Sequence, residues 1–420
     1  MLDGLDDIQW RRLGHAYGAA DDVPGQLRAL RSPDPAVRDE ALGELYSNIL
    51  HQGGRFEASA YAVPFLLELL ADPATPDPTA VLGLLASLAV GRDESVLPDG
   101  FPVTGYRRAA AGGRELLAAK PPPWVGEDEA EKEYVEYAYV ESLHPSEQAR
   151  FWAYIELAVY DAVRAGVPLL RTLLAHPDPG LRIGAAYTLA WFPEEAAGSV
   201  AALARAIDAA REPARAGVTP GEVATMLVAG GLLGVAPDDR WLTDPRPVVR
   251  WGAAVGRARV LGAGADPVTV DELLAWTAAP PADAPVPAGD AATAPTDDWV
   301  PFLDGDLGGY AGLALRQLGP QHAERAFDAL LDRLPAVSGD RSLTVLGTAL
   351  RLAFPDGPAP AGTPAAALAP RQRRLAEVLG RSPEPWLIDG QEFGNVAMLV
   401  DEYGLPDSRA AMLAYLAPLP

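Results

Sequence analysis

The chain has no cysteine, which excludes disulfides, thiolate metal sites and cysteine nucleophiles. Lysine is almost as scarce: Lys120 and Lys132 are the only two, and every other basic residue is arginine. Long apolar runs are missing as well. The longest, AVLGLLASLAV at 80–90, is far short of the roughly 20 residues a membrane helix needs. The first ten residues, MLDGLDDIQW, lack the basic-then-apolar order of a secretory signal, so a cytoplasmic protein is expected. Positive charge is also under-represented, with 34 basic against 57 acidic residues and a formal charge of −23. Such a surface repels phosphate backbones and favours cationic partners. Nucleic-acid and membrane binding are therefore not expected. The wealth of alanine, glycine and arginine suggests a GC-rich bacterial genome.

What is present is an apolar chain with internal repetition. The 420 residues are 49% hydrophobic, enough for a large core, and longer than one compact core usually grows. Three stretches align without gaps: LRSPDPAVRDEAL at 30–42, LAHPDPGLRIGAA at 174–186 and LTDPRPVVRWGAA at 242–254. In each, a leucine (Leu30, Leu174, Leu242) closes a preceding helix, and a proline (Pro33, Pro177, Pro245) stops it. Asp34 and Asp178 suit an N-cap, and Pro35, Pro179 and Pro247 suit the first helical position. Ala41, Ala185 and Ala253 are small where a neighbouring helix must come close. Val37, Ala41, Leu45 and Ile49 then recur at helical spacing, and Ala60, Val63, Leu67 and Leu70 mark a second helix. A pair of short amphipathic helices cannot bury its face alone and must stack.

This Pro-Asp-Pro-x-Val-Arg start, with AVPFLLELL at 62–70, resembles the HEAT-repeat (armadillo-type) family. The resemblance implies an all-α, right-handed αα-superhelix, here of about nine helical hairpins. It also implies a ladder of Asp34, Arg38, Asp178 and Arg182 along the stack. Arg250 continues it, although Arg246 occupies the aspartate position of the third copy. Strand signals are nearly absent. TAAPPADAPVPAGDAATAPTDD at 277–298 reads as an acidic Pro/Ala-rich linker or loop, dividing a solenoid at 1–276 from a helical region at 299–420. PDGPAPAGTPAA at 355–366 is a smaller break.

Three stretches carry candidate chemistry. In HQGGRFEAS at 51–59, Gly53 and Gly54 read as helix C-caps and Ser59 as the next N-cap. His51, Arg55 and Glu57 are then either a hydrogen-bonded corner or a ligand contact. Around WVGEDEAEKEYVEYAYVESL at 124–143, aromatics and carboxylates concentrate, with Trp124, Glu131, Glu133, Tyr134, Glu136 and Tyr137 as candidate contacts for a basic partner. The alternative is a core face with a solvated acidic side. In DDWVPFLDGDLGGY at 297–310, four aspartates lack calcium-loop spacing, so a solvated loop anchored by Trp299 and Phe302 is expected.

No P-loop, dinucleotide turn or nucleophile elbow occurs in the right context. The histidines read His15-Ala, His51-Gln, His144-Pro, His176-Pro and His322-Ala, unlike the His-Glu dipeptides of HEAT-type di-iron hydroxylases. The expectation is a non-catalytic protein-interaction scaffold with an acidic concave surface, without cofactor or metal. An inhibitor or immunity-type protein for a basic partner is its specific form. The alternative is an enzyme or enzyme-accessory protein of the HEAT-like lyase type using the 51–57 corner. Oligomeric state is not readable.

Overall fold

The computed structural model describes residues 2–121, 138–209, 218–281, 299–360 and 362–417. These residues are predominantly helical, and they cluster into two compact units, Met1–Val218 and Thr219–Pro420. The expected boundary at 277–298 therefore falls inside the second unit, and most of that segment (282–298) lies outside the described residues. No helix among the described residues is long and apolar enough to cross a membrane.

The first unit contains α1 (Val23–Ala29), α2 (Pro35–Asn48), α3 (Glu57–Ala71), α4 (Pro78–Val90), α5 (Val103–Ala109) and α6 (Gly113–Ala119). After these come α7 (Pro145–Arg164), α8 (Val167–Leu173), α9 (Pro179–Leu189) and α10 (Ala196–Ala209). The apolar faces of α3, α4, α7 and α9 supply the core, through Leu66, Leu85, Val159 and Leu189, all fully buried. α3 packs on α4 and α7, and α9 packs on α4.

Each copy of the repeated motif folds as one local device. Asp34 Oδ1 accepts the Ala36 N–H at 3.0 Å and Asp178 Oδ1 accepts the Gly180 N–H at 2.7 Å, the N-caps that the spacing predicts. The arginine four residues on curls back to the turn it follows. Arg38 Nη1 donates to Ser32 O, Arg182 Nη1 to His176 O and Arg250 Nη1 to Asp244 O, each at 2.9 Å. The side chain of that same turn residue accepts the N–H of the cap position: Ser32 Oγ at 3.2 Å, His176 Nδ1 at 3.1 Å, Asp244 Oδ1 at 2.9 Å. Orphan backbone groups at both sides of the turn are thus satisfied.

The expected ladder takes a different form. Arg38 reaches past its own Asp34 to pair with Asp77, at the N-cap of α4. Arg250 reaches Glu272 at 3.3 Å, and Arg246 forms a two-pronged bond to Asp244. Val37, expected on the apolar face, is 39% exposed.

Strand is nearly absent, as expected: among the described residues it is confined to three two-stranded hairpins of two-residue strands. β1 (Gly14–His15) pairs with β2 (Gly18–Ala19), β3 (Leu50–His51) with β4 (Gly54–Arg55), and β5 (Leu387–Ile388) with β6 (Gln391–Glu392). The second replaces the expected helical corner. Gln52 (φ 51°) and Gly53 (φ 83°) are both left-handed, the backbone of a two-residue hairpin turn. Gly53 and Gly54 therefore cap no helix, since α2 ends at Asn48. Ser59 sits three residues inside α3, not at its cap; its hydroxyl accepts the Phe56 N–H at 2.8 Å and donates to Ile49 O at 2.6 Å.

The second unit holds α11 (Pro220–Leu232), α12 (Pro247–Leu261), α13 (Pro267–Ala278), α14 (Leu307–Leu315) and α15 (Ala323–Arg333). It ends with α16 (Asp340–Ala353), α17 (Pro370–Arg381), α18 (Gly394–Asp401) and α19 (Arg409–Leu416). α13 packs directly on α14. Phe302, an expected anchor, is fully buried, while Trp299 is half-buried. Asp306 caps α14 through Gly309 N (3.0 Å) and pairs with buried Arg333 at 2.5 Å. Among the described residues no group of His, Asp and Glu is arranged to hold a metal ion.

Candidate functional site

The hairpin at 50–55 sends its three candidate side chains to three different partners. His51 Nδ1 meets the Tyr17 hydroxyl at 3.3 Å, with the rings edge-on at 5.4 Å. Arg55 is buried; Nη1 bonds Gly53 O at 3.0 Å and Nη2 lies 3.3 Å from Glu156 on α7. Glu57, the first residue of α3, accepts from Gly14 N at 3.4 Å and from Lys120 Nζ at 2.8 Å. Of the three, only Glu57 lines the two cavities around α3 described below. The corner therefore ties the N-terminal hairpin, α6 and α7 to α3.

A neighbouring imidazole is fully engaged. His15 accepts the Tyr17 N–H through Nδ1 at 3.0 Å, so its Nε2–H donates to Asp22 Oδ1, also at 3.0 Å. Burial pushes the Asp22 carboxyl up, but the hydrogen bonds it receives from His15 and Gln26 outweigh this and hold the group below its usual range. Behind the corner, burial and then the Glu156 charge push the Tyr106 phenol up. Phe101 stacks between Tyr106 (4.7 Å) and Tyr160 (4.3 Å), and Tyr160 donates to Glu194 at 2.6 Å. Arg107 clasps Asp161 with two bonds and Glu194 with a third.

Two cavities flank Tyr61, which lies one helical turn after Glu57 on the same face of α3. One, of about 230 Å³, is walled mainly by Phe56, Ala60, Leu117, Tyr154 and Ile155. The other, of about 470 Å³, is lined by Asp7, Arg12, Glu57, Leu117 and Lys120, among others. Glu57, Tyr61 and Leu117 are shared walls. Tyr61 is 45% exposed and Trp152 37%, and the Trp152 ring meets Phe56 edge-on at 6.3 Å. α6 can lie close to α7 because Gly113 has no side chain: a Cβ there would sit 2.4 Å from Tyr154 Cβ.

The aromatic and acidic candidates Trp124, Glu131, Glu133, Tyr134, Glu136 and Tyr137 lie outside the described residues. Of that region's other aromatics, Phe151 and Tyr160 are core, while Trp152 is exposed. Sequence reasoning passed over Tyr61 and Lys120. The Glu57/Tyr61 spacing and the rarity of lysine were visible signals, but the meeting of Lys120 with Glu57 depends on how α6 returns to α3.

No known family model matches the chain, and no curated protein matches it. Among solved structures, one similar chain is described only as an engineered protein. It is 17% identical, over 86% of this chain and 93% of that one, at a TM-score of 0.26. That likeness carries no argument about fold or function.

Proposed function

We propose that this protein is a non-catalytic binding scaffold built as a HEAT-like solenoid, which docks a basic protein partner in the cytoplasm. The observation that carries the reading is the exposure of Tyr61, a wall of both cavities, and of Trp152, whose ring meets Phe56 in the wall of the smaller one, in a unit of net charge −13 (the other carries −10). Exposed aromatics beside a pocket are what binding hot spots are made of, and uncompensated carboxylates steer a cationic partner. The solenoid part draws support from the motif helices. Arg38 of α2 pairs with Asp77 at the start of α4, and α4 packs along α9, where a Cβ on Gly180 would meet Thr79 at 3.2 Å. The specific form of the proposal is an inhibitor or immunity-type protein that occludes a cationic toxin. A catalytic use of the 51–57 corner draws no support from its geometry, because His51, Arg55 and Glu57 turn to separate partners.

The test is affinity capture from the cells that make the protein, comparing wild type with a Tyr61→Ala/Trp152→Ala variant whose circular dichroism is unchanged. A basic protein retained by wild type, lost by the variant and released as salt rises supports the proposal. Identical capture by both chains sinks it. Alanines at Glu131, Glu133 and Glu136 ask separately whether the acidic segment contributes.

A further inference from the structure

The larger cavity has a charge arrangement that a basic protein surface does not explain. At its floor Glu57 and Lys120 neutralise each other, with side-chain exposures of 15% and 3%. Above them stand a carboxylate and a guanidinium that do not. Asp7 and the Tyr61 hydroxyl have no side-chain partner among the described residues, and Arg12 has only a 3.5 Å bond to Gln9. A ligand of one sign would leave one of these groups unanswered; a ligand carrying both signs answers both. The volume, about 470 Å³, falls among small-ligand sites, which run from about 300 to 1,000 Å³. Across the shared wall of Tyr61, the 230 Å³ cavity is apolar and sized for a side chain.

We propose that the two cavities together bind a small zwitterion with an apolar side chain, an α-amino acid or a dipeptide. Its carboxylate faces Arg12, its ammonium group faces Asp7, and its side chain crosses Tyr61 to lie against Phe56, Tyr154 and Ile155. This goes beyond the scaffold reading and does not depend on it, since partner docking is also read from Trp152.

Isothermal titration of the full chain tests it with L-phenylalanine and a Leu-Phe dipeptide. Glycine, 3-phenylpropionate and phenethylamine are the controls, lacking the side chain, the ammonium and the carboxylate respectively. The zwitterions with apolar side chains should bind at least about tenfold more tightly than every control. Arg12→Ala and Asp7→Asn should each weaken phenylalanine by about tenfold or more, with thermal melts near that of the wild type. Equal binding of the single-charge analogues, unchanged affinity in both variants, or no heat from either zwitterion overturns the proposal.

Discussion

Lys120 Nζ stands 2.8 Å from Glu57 Oε2, and solvent reaches little of either side chain. In a chain with only two lysines, one is thus spent joining the end of α6 to the first turn of α3. The pair closes the floor of the larger cavity and fixes the helix that carries Tyr61.

Breaking this pair from one side should be costly, because the surviving charge stays shielded. Lys120→Met is expected to lower stability by about 3 kcal/mol, and adding Glu57→Gln should restore most of the loss. Urea unfolding of the single and double variants measures both. A single-variant effect below about 0.5 kcal/mol would mean that water already reaches the pair.

Arg38 does two jobs, and they differ in weight. Its bond to Ser32 O serves the turn, whereas Asp77 is half exposed and worth less. Arg38→Ala should cost about 1–2 kcal/mol, and Asp77→Asn less than about 1 kcal/mol. Arg38→Lys should recover little, since an ammonium cannot reproduce the forked geometry. Denaturation midpoints of the three variants check the ranking. Arg250, which repeats the carbonyl bond, should respond in the same direction as Arg38.

Asp266 gives a pH signature. Burial pushes its carboxyl up, but the Thr269 N–H, Arg257 and the Thr269 hydroxyl pull it down, from an ordinary 3.8 to about 2. A group with a depressed folded pKa stabilises fully above its unfolded value and loses that contribution as pH falls towards the folded one. The window is therefore from about pH 4 down to about 2. Because the side chain is a third exposed, the contribution is about 1 kcal/mol. Asp266→Asn should reduce stability at neutral pH by that amount and flatten the acid limb. An unchanged slope between pH 4 and 2 would contradict this.

Helices α11 and α12 are joined through glycine. A Cβ on Gly231 would lie 2.4 Å from Gly256 Cα and 2.8 Å from Gly256 O. Neither backbone atom can swing aside, so Gly231→Ala should destabilise by about 1–3 kcal/mol although alanine is the better helix former. Gly25→Ala, where a Cβ meets nothing within 4 Å, is the control and should be neutral or mildly stabilising. Thermal melts distinguish the two.

The helical character was readable because its signals are local. Pro35, Pro179 and Pro247 each begin a helix as the spacing predicts, and the Asp34 and Asp178 caps need only the next two residues. The hairpins were not readable: two-residue strands leave no alternation to detect, and Gly53-Gly54 after an apolar helix equally suits a C-cap. The turn device was half visible. Ser32, His176 and Asp244 are all acceptors at one motif position, a constraint hidden by their chemical variety. For the candidate site, local letters named Glu57 but could not supply its partners. Gly14 and Lys120 reach it through tertiary packing, as Glu156 reaches Arg55.

The most direct measurement is a binary titration of the captured partner against wild type and the Tyr61→Ala/Trp152→Ala variant, at low and raised salt. Docking on the aromatic face of α3 and α7 calls for at least a tenfold loss of affinity, about 1.4 kcal/mol, in the variant and for weakening of the wild-type complex by salt. Equal affinities for the two chains, unmoved by salt, would contradict it.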